Sequence, residues 1–187
     1  MIKSFTEENI QRSIKFGVWC STEAGNKRLN DAFHSVTRVR PDATGDEAAS
    51  GHVYLFFSVN MSGFFSGIAE MAGPVNASID PGDIWEQTRT GARWRGLFPV
   101  RWLYVRDVPN DALNHIAVAT NDGKPVTHSR DTTEVPRAQG EQVFEIIARH
   151  EKVTTSLFDD YLYYERCRLH RHLGLVFADD WRKEHGL

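Results

Sequence analysis

The period of hydrophobic positions changes several times along this 187-residue chain, and each change marks a predicted element. Ile10 and Ile14 lie four apart behind Ser4-Phe5-Thr6-Glu7, which has the S-x-x-E form of a capping box, so a helix should start near Ser4 or Thr6. Gly17 ends it, and Val18-Trp19-Cys20 reads as a short strand. Residues 21–25 read as a turn. Leu29, Ala32, Phe33 and Val36 then share one face of a helix over 26–36. Residues 39–51, acidic and punctuated by Gly and Pro, predict a flexible loop. Residues 53–59 are almost continuously apolar, which suits a strand covered on both faces. Asn60-Met61-Ser62-Gly63 signals a turn, so Phe64–Met71 should return antiparallel. Pro74, Pro81 and Gly82 mark a loop over 73–83. Phe98, Val100, Trp102 and Tyr104 alternate as in a half-buried strand, which makes Trp102 a core residue. Turns are expected at 108–110 and 121–123. Gly140 should interrupt the chain before an amphipathic helix over 142–150, built on Val143, Ile146 and Ile147. Residues 155–187 read as a mixed-charge helical stretch that packs back on the core or offers a partner surface. The sum is one α/β domain with a small, largely antiparallel or barrel-like sheet.

Composition changes this picture little. Hydrophobic residues make up 41% and charged residues 25%, which is ordinary for a globular domain. The net charge of −3 argues against a protein that coats nucleic acid nonspecifically, but leaves room for a local basic groove. Two distant cysteines, Cys20 and Cys167, and no evident signal peptide suggest a reducing intracellular compartment. No apolar run reaches membrane-spanning length.

Two segments carry candidate chemistry. Residues 15–29, KFGVWCSTEAGNKRL, set Trp19 and Cys20 beside a polar run that closes on Lys27-Arg28. An aromatic face beside backbone hydrogen-bonding groups and cations is what recognition of an unpaired nucleotide requires. A buried strand Trp is the competing explanation. Between Glu86 and Arg106 stand five arginines against the single acid Glu86, interleaved with Trp94 and Trp102. That composition suits phosphates and stacked bases, or else a hairpin with a basic solvated face. Zinc-ligand spacing, phosphate-binding loops and the G-x-S-x-G elbow are all missing, so neither metal nor cofactor is expected. His170 and His172 would face different ways on a helix.

The segments KSFTEENIQRSIKFGVWCSTEAGNKRL, GHVYLFFSVNMSGFFSGIAEM, FPVRWLYVRDVPN, DGKPVT, HSRDTTEVP and TTSLFDDYLYYE occur in order with similar spacing, and together they resemble the YTH domain. That family reads N6-methyladenosine in RNA. The likeness runs from about Lys3 to Glu165 and is strongest to the largely cytoplasmic branch with WCST and SRDT motifs, so the cytoplasm is expected, with the nucleus as the alternative. It implies a small curved β-barrel-like sheet flanked by α-helices over residues 1–165, followed by a C-terminal helical extension over 166–187. It further implies an aromatic cage of Trp19, Trp85 and Trp94. The eight-residue spacer between the last two is longer than is usual in that branch.

By the same resemblance, the Cys20 carbonyl accepts the remaining N6–H of the base, Asn9 contacts N1, and Phe5 makes a backbone contact to the base. Ser21 lies beside the cage and Asn60 lines the pocket. Lys3, Arg28 and Arg130 hold phosphates, and Asp131 lies near the neighbouring nucleotide. The implied partner is single-stranded RNA containing N6-methyladenosine, bound by a monomer without catalysis, with effector proteins recruited by regions outside this chain. Two other classes remain open from the residues alone. One is an aromatic-cage reader of methylated lysine. The other is an enzyme acting on modified nucleotides.

Overall fold

The computed structural model describes residues 1–37, 51–82, 85 and 94–151. Most of the loop expected over 39–51, the spacer 86–93 and the helical tail expected over 155–187 lie outside the described residues.

A five-stranded sheet in the order β1-β3-β4-β5-β2 forms the frame. Its strands are β1 (Ile2–Ser4), β2 (Val18–Trp19), β3 (Tyr54–Val59), β4 (Phe64–Met71) and β5 (Phe98–Pro109). The β1–β3 pair is parallel, with Ser4 opposite Val59, and the other pairs are antiparallel. Two short strands, β6 (Ala117–Val118) and β7 (Lys124–Pro125), form a separate ladder. The curled sheet flanked by helices is the architecture that the resemblance implied.

Both faces of the sheet are covered, as the apolar run in β3 requires. Leu55 and Phe57 point into a core shared with Ile2, Ile10, Val18, Trp19, Trp85 and Phe98. Phe56, between them, points into a second core with Phe65, Ile68, Leu113, Val143 and Ile147. Trp102 packs on Phe57 at 4.5 Å between ring centroids and donates from Nε1 to Ser13 Oγ at 3.1 Å. It is a core residue, as its alternation predicts. At Gly67 (φ +140°) the backbone of β4 meets that of β5 so closely that a Cβ would lie 2.0 Å from the Tyr104 carbonyl oxygen.

The helices depart from expectation at their ends. α1 (Glu7–Phe16) starts behind Thr6, whose hydroxyl accepts the Asn9 N–H at 3.3 Å, and stops at Gly17 in the left-handed region (φ +62°). Ser4, the first residue of the capping-box sequence, is instead the last residue of β1. α2 (Glu23–Thr37) begins inside the stretch expected to turn, because the Thr22 hydroxyl accepts the Gly25 N–H at 3.1 Å and caps the first turn. α3 (Arg137–Arg149) runs straight through Gly140, which does not interrupt it.

Candidate functional site

The elements above bring distant residues to one pocket. β1 ends in Lys3 and Ser4 and leads into Phe5; the first turn of α1 supplies Asn9; β2 ends in Trp19 and leads into Cys20, Ser21 and Thr22. Trp85, Trp94 and Asp131 complete the lining, and the pocket with its mouth holds about 290 Å³ of empty space. Most of that space is open to solvent at the mouth, and the enclosed part is small.

Trp19 and Trp85 are 4% and 2% exposed, and both belong to the core. Their ring centroids lie 4.9 Å apart with planes at 84°. They therefore make a corner, and a flat ring laid on one indole presents its edge to the other. No base fits between these two. Trp94 is half-buried and packs near Phe5, 6.4 Å between centroids and inclined by 50°. Phe5 itself is 68% exposed at the rim. The segment behind Trp94 is pinned. The Asn26 amide donates to the Arg95 carbonyl at 2.8 Å, Gly96 N–H donates to the Ile79 carbonyl at 2.9 Å, and Leu97 N–H donates to the Asn76 carbonyl at 3.2 Å. Asn26 also accepts the Ser21 N–H at 3.1 Å, so it ties the two sides of the pocket together. Nothing in its sequence context singled it out.

Two buried polar atoms at the pocket have no partner, Asn9 Oδ1 and Trp19 Nε1. A buried group left unpaired costs about 1–3 kcal/mol, so these atoms mark where a ligand gains most. Asn9 is only 7% exposed, although it lies off the Ile10–Ile14 stripe of α1. Its amide can present either oxygen or NH₂ by turning about χ2. Cys20 is buried; its thiol donates to the Ser21 carbonyl at 3.6 Å, and burial pushes it up to about 12. It stays protonated at neutral pH, a poor nucleophile.

Asp131 is the hub of the polar side. One carboxylate oxygen accepts the Lys3 backbone N–H at 2.9 Å and the other accepts the Ser21 hydroxyl at 3.2 Å. The Lys3 ammonium turns inward, donating to the Thr127 carbonyl at 3.1 Å and Ser58 Oγ at 3.3 Å, and burial lowers its pKa. Gly25 leaves room for Ser21, since a Cβ there would lie 2.1 Å from its hydroxyl.

Three expected site residues stand outside the pocket lining. Arg28 and Arg130 are exposed on its polar side, where Arg28 Nε donates to Thr132 Oγ1 at 2.7 Å. Asn60 is exposed in the β3–β4 turn, its N–H bonded to the Ser4 carbonyl at 2.9 Å. The arginines of β5 are structural. Arg101 pairs with Glu70, and Arg106 donates to the Ala148 and His150 carbonyls at the end of α3. Arg89 and Arg93 lie outside the described residues. Among the described residues no three His, Cys, Asp or Glu side chains converge as metal ligands.

A family model described as YTH, YT521-B-like domain, matches residues 1–148. The chain is 49% identical over 166 residues to YTH domain-containing family protein 1 of Mus musculus, and equally to family protein 2 of Danio rerio. Each alignment covers 89% of this chain but 27% and 24% of the relative, so the chain spans about a quarter of their length. Among solved structures, it is similar to the YTH domain of the Zygosaccharomyces rouxii MRB1 protein in complex with N6-methyladenosine RNA. That similarity has a TM-score of 0.66 and 37% identity, covering 83% of this chain and 88% of that one. The Toxoplasma CPSF4 YTH domain in complex with a 7-mer m6A-modified RNA superimposes with a TM-score of 0.67 at 31% identity, covering 83% and 92%. With the curled sheet, the tryptophan corner and these likenesses in agreement over most of its length, the chain belongs to the YTH domain family.

Proposed function

We propose that this chain binds N6-methyladenosine in single-stranded RNA and acts as a reader in post-transcriptional mRNA regulation, in the cytoplasm and without turnover of its own. The observation that carries the reading is the convergence of Trp19, Trp85 and Trp94 with Asn9 and Cys20 on one pocket. The solved relatives whose names state a complex with methylated RNA support it.

In this reading the base stacks between Trp19 and Trp94, and its N6-methyl edge meets Trp85, the perpendicular wall. The Cys20 carbonyl accepts the one N6–H that methylation leaves. The Asn9 NH₂ donates to N1 without any protonation step. The Phe5 backbone meets the base edge, and Ser21 and Asp131 fix the polar rim. Arg28 and Arg130 supply positive charge for the phosphates, joined by Lys3 once its ammonium turns outward from Thr127 and Ser58, and Asn60 borders the entrance. Stacking contributes about 1–3 kcal/mol per base and treats both adenines alike. Discrimination comes from burying the methyl, about 0.8 kcal/mol. It also comes from the cost of a second amino proton left unpaired, about 1–3 kcal/mol. Together these favour the methylated base by tens-fold or more.

A cage for methylated lysine is less well supported. Among the described residues Asp131 is the one carboxylate lining the pocket, and the Lys3 N–H and Ser21 hydroxyl already engage both its oxygens. Titration of a short single-stranded RNA with and without the methyl tests the proposal. We expect a preference of tens-fold; equal affinities reject it.

A further inference from the structure

The described residues expose four large hydrophobic side chains: Phe5 at 68%, Met61 at 103%, Phe64 at 44% and Tyr54 at 42%. Three of them gather at one end of the sheet. Phe5 follows β1, whose Ser4 pairs with Val59, and Asn60 N–H holds the Ser4 carbonyl. Phe5 is thereby set next to the β3–β4 turn, with Met61 at its tip and Phe64 just beyond it. Met61 takes a left-handed backbone (φ +63°) that a bulky side chain rarely adopts. Tyr54, at the other end of β3, rests on Phe144 instead.

This apolar edge is continuous with the pocket, because Phe5 lines the rim and packs near Trp94. Glu8, near Phe5 in the first turn of α1, is paired with Arg12, and the exposed Arg28 and Arg130 stand by the 130–132 loop. A flat, neutral group suits the edge, and a strand that delivers one base into the pocket holds the next base within reach.

We propose that Phe5, continued by Met61, is a second stacking platform that takes the nucleobase adjacent to the methylated one. The inference rests on the reading of the pocket as a methyladenine cage. It assigns the Phe5 side chain a task separate from any contact its backbone makes.

The test compares the free nucleoside N6-methyladenosine with a five-nucleotide RNA centred on it. The RNA is used intact or with one abasic residue on either side of the centre, and each ligand is titrated against wild type, Phe5→Ala and Phe5→Trp. Phe5 is exposed, so its replacement leaves the fold in place. We expect one abasic position to weaken wild-type binding about tenfold. Phe5→Ala should weaken the intact strand by a similar factor, remove the effect of that abasic position, and weaken the nucleoside several-fold less than the strand. Phe5→Trp should restore strand binding. The platform is overturned if Phe5→Ala binds the strand as wild type does, if its loss and the abasic loss simply multiply, or if it weakens the nucleoside equally, which would make Phe5 only a support for Trp94. A wild-type protein indifferent to the methyl on nucleoside and strand alike brings down the cage reading along with the platform. A normal methyl preference without coupling to Phe5 brings down the platform alone.

Discussion

Trp19 and Trp85 do two jobs with one set of atoms, since each lines the pocket and each is packed into the main core. Truncating such a residue costs about 3–5 kcal/mol of stability, so loss of RNA binding by Trp19→Ala confounds recognition with unfolding. Trp94 is different. It is half-buried and sits at the mouth, and we expect Trp94→Ala to weaken methylated RNA at least tenfold while thermal denaturation moves by only a few degrees. Unchanged RNA affinity in that variant would remove Trp94 from the cage. The residues differ in how far the sequence reveals them. Helix spacing placed Asn9 off the apolar stripe of α1 and so in solvent; only its likeness to a family position pointed to the base. It is buried where α1 packs against β1 and β2, contacts that no local pattern records. Asn26 left no trace, because an asparagine near a helix start has many ordinary uses.

At the level of elements, the glycines and turns were the legible part. Gly17 as a helix stop and the 60–63 turn with its antiparallel return follow from backbone chemistry alone, and the structure has both. β1 escaped notice because three residues beside a capping sequence have no period of their own. It forms because β3 offers a free edge. α2 starts early because a Thr hydroxyl outweighs a turn-like composition. Gly140 misled for the opposite reason: tertiary packing carries α3 across it, and a Cβ there would meet Phe56 and the Val135 carbonyl no closer than 3.9 Å. Gly140→Ala should therefore stabilise the protein by about 0.5–1 kcal/mol in denaturant unfolding. Gly67→Ala, with its Cβ driven into β5, should be severely destabilising in the same assay. A Gly140→Ala protein weaker than wild type would mean that α3 does not pack as described.

Across the whole molecule, the spacer between Trp85 and Trp94 begins in the core and ends in the pinned 95–97 segment. The entropic cost of a loop grows only slowly with its length, about 0.6 kcal/mol per doubling, so an eight-residue spacer is compatible with the same cage. The pocket draws on positions between 3 and 22, on Trp85, on Trp94 and on Asp131, and the bond from Lys3 to Asp131 joins positions 128 apart. That link bears on time as well as shape. While the chain is being synthesised, β1 precedes the other strands and must wait for β3 before it has a neighbour and for residue 131 before its polar rim exists. Non-local closures of this kind are the slow ones in folding. In refolding from denaturant we expect helical signal to return first and the capacity to bind methylated RNA to return only with the slowest phase. Binding that appears with the helices would show that the corner of tryptophans assembles without the strand that closes it. On the proposed reading, the nascent domain is in this sense blind to its mark until nearly all of it has been made.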